Sequence, residues 1–165
     1  METTSTIGTL KNNVWNFKTE AGDLLIDAMA HVKDLLEKHS DAKIYIGCDS
    51  GNAKTVTTYV TVIAIRYGAR GVHFIYDRQR VKKIRDKYSR LWKEVEYTAE
   101  LGEYLQSHKI PIYAVELDFN KDHKSGSNFV LGSGVGYLLG LGYKNVIVKP
   151  DVQVAVKAAD HIVRR

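Results

Sequence analysis

The hydrophobic pattern of the chain changes period partway along, and that change restricts the folds open to it. Three β-type stretches come close together, Lys43 to Cys48, Thr55 to Tyr67 and Val72 to Tyr76. They are rich in Val, Ile, Thr and Tyr and are separated by Ser50-Gly51-Asn52 and by Gly68 and Gly71, so they read as strands joined by turns in an antiparallel meander. From about Val81 to Ser107 the period becomes helical, with Ile84, Tyr88, Leu91, Val95, Thr98, Gly102 and Leu105 on one stripe. Strand and helix then alternate: Ile112 to Leu117, a polar loop from Asp118 to Ser127, a glycine-bearing helix from Phe129 to Leu141 closed by Gly142, a strand from Asn145 to Lys149, and a last helix from Val152 to Arg165. A meander followed by alternating helix and strand implies a mixed sheet with helices on its faces.

Before the meander, Thr19 to Lys38 carries Leu24, Leu25, Ala28, Met29, Val32, Leu35 and Leu36 at helical spacing. The expectation is therefore one α/β domain over residues 1–165: a polar segment at 1–17, an extra helix at 18–39, and a five-stranded mixed sheet. At 165 residues the chain has the usual size of one domain. Its single cysteine, Cys48, makes no internal disulfide. The polar start lacks the apolar stretch of a secretory signal, and no apolar run reaches membrane-spanning length. These features point to a reducing, cytoplasmic setting.

The formal charge is +5, and its distribution is uneven. Between Arg78 and Arg90 lie seven basic residues and one acid, a local charge of +6 that leaves −1 for the rest. Arg78, Arg80, Lys82, Lys83 and Arg85 are thus candidates for contacting a nucleic-acid backbone, which would make binding salt-dependent. The plain alternative is a solvated helix face.

Asp49 directly follows the first expected strand and Asp118 directly follows the fourth. Ligand sites in open α/β sheets gather at such carboxyl ends, and parallel pairing of those strands would bring the two carboxylates together. At about 4 Å they would repel by about 4 kcal/mol at an effective dielectric of 20. A hard cation removes that repulsion, and magnesium or manganese suits such oxygens and supports phosphodiester displacement. The plain reading of either aspartate alone is a turn former or helix cap.

Ile-Gly-Cys-Asp-Ser at 46–50, Glu-Leu-Asp at 116–118, Gly-Tyr-Leu-Leu-Gly-Leu-Gly-Tyr at 136–143 and Val-Lys-Pro at 148–150, in this strand order, resemble the YkuK-type bacterial proteins of the ribonuclease-H-like superfamily. The resemblance implies that fold and a metal-dependent carboxylate site, with Asp49 and Asp118 as its two strand aspartates. It implies a helix glutamate at Glu94 or Glu96; Glu96 is preferred because small Thr98 and Ala99 follow it. A late aspartate falls on Asp151 or Asp160, and Asp160 is preferred for its apolar successors. The implied activity is nuclease action with Mg2+ or Mn2+ on an RNA–DNA hybrid or structured DNA. The rival reading is a non-catalytic nucleic-acid-binding module of the same fold. Lys149 is a candidate phosphate contact, and His123 and His161 are candidates for proton transfer. The glycines from Gly132 to Gly142 lack the lysine and hydroxyl residue of a P-loop and fit close helix packing better.

Overall fold

The computed structural model describes residues 15–120, 128–149, 151 and 153–165. The elements run β1 (Lys18–Thr19), α1 (Ala28–Lys38), β2 (Ala42–Asn52), β3 (Val56–Tyr67), β4 (Val72–Lys82), α2 (Lys87–Ser107), β5 (Ala114–Asn120), α3 (Asn128–Gly140), β6 (Val146–Lys149) and α4 (Ala155–Val163). They build one mixed sheet in the order β1-β4-β3-β2-β5-β6. β2, β3 and β4 form the antiparallel meander, and β5 and β6 are parallel additions beside β2.

The sheet has six strands rather than the expected five, because residues just before α1 pair with β4. The extra helix is correspondingly shorter than 18–39. Around Gly22, at φ +97°, the chain doubles back, and the Leu25 amide donates to the Phe17 carbonyl. Asp27 then caps the helix by accepting from the Ala30 amide at 2.9 Å. Leu24, counted toward an apolar helix face, is exposed, and so is Ile26. The polar N-terminal stretch through residue 14, the loop at 121–127 with His123, and residues 150 and 152 lie outside the described residues.

β2, β4 and β5 outrun their expected ends. β2 and β3 stay in register from Ala42↔Tyr67 to Asn52↔Thr57, and β4 continues through the first half of the basic run to Lys82. Arg78, Arg80 and Lys82 therefore alternate along a strand and share one face. They do not belong to the helix, which starts at Lys87.

Alternation divides the core between two faces. Ile44, Ile46, Ile63, Ile65 and Ile75 are buried beneath α1, α2 and α3 with Val32, Val95, Leu101 and Leu138. Val60, Val62, Ala64 and Ala114 are buried on the other face beneath α4, against Ala155, Ala159 and Ile162. Each fully buried Val, Leu or Ile contributes about 1.5–3 kcal/mol and each alanine less, so the isoleucine-rich face is the more strongly fixed of the two.

The helix α4 sits close to the sheet because two glycines allow it. A Cβ on Gly47 would lie 2.7 Å from Val156 Cγ2, and one on Gly51 would lie 2.7 Å from Val163 Cγ1. Among the described residues, no helix is long and apolar enough to cross a membrane.

Candidate functional site

Parallel pairing matches Gly47 with Glu116 and Cys48 with Leu117, which brings Asp49 and Asp118 to neighbouring positions at the same end of adjacent strands. Asp49 pairs with Val60, which is buried beneath α4, so the Asp49 carboxylate faces that helix. Asp160 projects from α4 toward the same end, and Asp49 feels the charges of Asp118 and, more weakly, Asp160. Three of the four acids expected from sequence therefore converge on one face. Both strand aspartates lie inside their strands rather than just beyond them.

The fourth expected acid does not join them. Glu96 is exposed and lines grooves with Trp92 on the outer side of α2. The α2 acid that comes into electrostatic contact with Asp49 and Asp118 is Glu94. Glu94 is only 2% exposed, and its Oε2 accepts from Ser50 Oγ at 2.5 Å. Successive strand residues point to opposite faces, so Glu94 approaches the end of β2 from the side opposite Asp49. Among the described residues its Oε1 is buried with no hydrogen-bond partner. A partial signal was present in the sequence: Glu94 lies three residues after Leu91 and four before Thr98, both on the buried stripe.

Asp118 is ion-paired with Lys149 from the end of β6, and Asp160 Oδ1 accepts from Arg164 Nε at 3.1 Å. These groups line a cleft of about 560 Å3 whose walls also carry Asp151, Gln153 and Lys157. Asp151 sits exposed in this lining, and no contact joins it to Asp49. His161, beside Asp160, is exposed. Lys149, Lys157 and Arg164 place positive charge around this cleft.

Two further residues position the site and were not assigned that task from sequence. Glu116 is fully buried; its carboxylate accepts from the amides of Val154 at 2.9 Å and Val156 at 2.9 Å. It thus caps α4, which has no side-chain cap of its own. Arg78 donates from Nη2 to the Ile162 carbonyl at 2.7 Å, tying down the other end of α4. Arg78 is consequently committed to the fold, whereas Arg80, Lys82 and Arg85 are exposed and Lys83 is half-buried.

Burial, reinforced by the charge of Asp118, pushes the Asp49 carboxyl up to about 7. Glu94 is also pushed up, by burial first and the Asp49 charge second. An acid that keeps its proton in the folded state above its ordinary value of 3.8 makes the fold lose stability as pH rises from that value through about 7. Melting of the metal-free protein is therefore expected at lower temperature at pH 8 than at pH 5. Asp49→Asn should flatten the decline, and an unchanged slope in thermal melts would contradict the burial argument.

An all-oxygen donor set and the unpartnered Glu94 Oε1 fit a hard divalent cation. The fit is to donor chemistry and not to a finished cage: among the described residues, no three His, Cys, Asp or Glu side chains stand at ligand spacing. A family model described as Ribonuclease H-like matches residues 27–164. No curated protein and no solved structure matches the chain.

Proposed function

Because this chain belongs to the ribonuclease H-like family, we propose that it is a metal-dependent nuclease that hydrolyses nucleic-acid phosphodiesters at the cluster of Asp49, Glu94, Asp118 and Asp160. The observation that carries the reading is the meeting of Asp49, Asp118 and Asp160 from β2, β5 and α4, where burial first and the charge of Asp118 second push the Asp49 carboxyl well above the ordinary carboxylate range. Such mutual repulsion is costly in a fold and useful in a cation site.

Asp49, Asp118 and Asp160 would hold Mg2+ or Mn2+ on one face, with Glu94 reaching the same strand end from the other. When bound, the metal supplies activation of water and stabilisation of the leaving oxygen. Ser50 fixes Glu94 through its hydroxyl, and Arg90 Nη1 in turn donates to Ser50 Oγ at 3.3 Å. Lys149 balances Asp118 and stands ready to meet a phosphate. Arg80, Lys82, Lys83 and Arg85 would steer the nucleic-acid backbone, with Arg78 fixing α4. An RNA–DNA hybrid is the first substrate to try by fold analogy, and branched DNA is the second. Within the family, the motifs at 46–50 and 116–118 favour the YkuK-type branch.

One observation favours a non-catalytic nucleic-acid-binding module instead: Lys149 already neutralises Asp118. The deciding experiment offers an RNA–DNA hybrid, single-stranded RNA, single-stranded DNA and a four-way junction to the protein in magnesium, manganese or chelator. Metal-dependent cutting of one member is expected. Salt-sensitive binding with no cutting in either metal would replace the nuclease by the binding module.

A further inference from the structure

Away from the carboxylates, the imidazoles of His31 on α1 and His73 on β4 meet with their Nε2 atoms 3.0 Å apart. Both rings are half-buried. In the metal-free state only one of those nitrogens can carry the intervening proton, so the other must present a lone pair. A cation in place of the proton would use both lone pairs. Two imidazole nitrogens at about 2.0–2.1 Å from a tetrahedral ion lie about 3.3 Å apart, so a few tenths of an ångström of opening, together with a tilt of each ring toward a shared point, would turn this contact into two metal bonds.

We propose that His31 and His73 form the two-imidazole core of a second cation site, selective for a borderline transition metal such as zinc. Imidazole favours zinc, copper and nickel, whereas magnesium and calcium favour oxygen, so the two sites would separate by ligand chemistry. Glu20 supplies a negative charge near His73, which suits a divalent cation held between the two rings. Among the described residues no third His, Cys, Asp or Glu completes a cage, so water, or Glu20 after a side-chain rotation, fills the remaining positions. The bound ion would clip α1 to the sheet near its β1 edge. This inference does not depend on the nuclease reading.

The test is calorimetric titration of zinc, in excess magnesium, into the wild-type protein and into His31→Gln and His73→Gln, with circular dichroism to check folding. Wild type is expected to take up one zinc per chain, and each variant to bind about 100-fold more weakly. Equal affinity in all three proteins, or no uptake by wild type, overturns the site. Should the variants fail to fold, nitrogen NMR of wild-type histidines decides the matter: zinc must shift the Nε2 resonances of two rings, and no shift removes the proposal.

Discussion

Asp49→Asn is expected to lower metal-dependent cleavage on the order of 10³-fold while leaving the fold intact. Asparagine keeps the side-chain shape and removes the charge that a cation needs, and it also removes the repulsion from Asp118 that burdens the metal-free protein. Activity and stability should therefore move in opposite directions: turnover lost, melting temperature at pH 8 raised. Paired substitutions on α2 sharpen the result. Glu94→Gln should cost roughly 10²-fold, whereas Glu96→Gln, on the exposed side of the helix, should stay within about twofold. Rates on the preferred substrate, measured for all three variants, check the assignment. Loss in Glu96→Gln with full activity in Glu94→Gln would reverse it.

Glu116→Ala is expected to destabilise the fold by about 3 kcal/mol, since it leaves buried amides at the start of α4 without an acceptor. For a chain of this size that corresponds to a fall in melting temperature of roughly 6–12 °C. Glu116→Gln retains one carbonyl acceptor and should lose less than half as much. Because α4 carries Asp160, Glu116→Ala should also lower cleavage although Glu116 touches no substrate. A thermal melt within about 1 °C of wild type would show that the cap contributes little.

Most of the architecture was legible in the sequence because the hydrophobic period is a direct image of burial. The β-branched runs that became β2, β3 and β5 are buried on both sides of the sheet, and Gly142, at φ +101°, ends its helix as expected. The errors have physical causes. Leu24 and Leu25 fall at helical spacing by chance, while backbone pairing to β4 and the turn at Gly22 hold that segment out of the helix. The alternation Arg78, Arg80, Lys82 against Asp77, Gln79, Val81 is a strand signal that charge density obscured. Asp49 and Asp118 were visible because each closes an apolar run. Between Glu94 and Glu96 helical phase did not discriminate, since both flank the apolar stripe; the fold buries Glu94 and leaves Glu96 exposed. Glu116 could not be read as a cap, because the amides it accepts from lie 38 and 40 residues away.

The arrangement of α4 has one more consequence. It has nine residues, fewer than a helix needs to persist alone in water, and it is the helix packed on its face of the sheet. Its hold rests on the buried side chains of Ala155, Val156, Ala159 and Ile162, the two glycine notches, the Glu116 carboxylate and the Arg78 guanidinium. Such an element can detach by local opening at far less free energy than global unfolding. The working lifetime of the site is then set by that opening equilibrium rather than by the stability of the sheet. Amide hydrogen exchange in α4 should run faster than in β2 and β3, and should slow when a divalent cation joins Asp160 to Asp49.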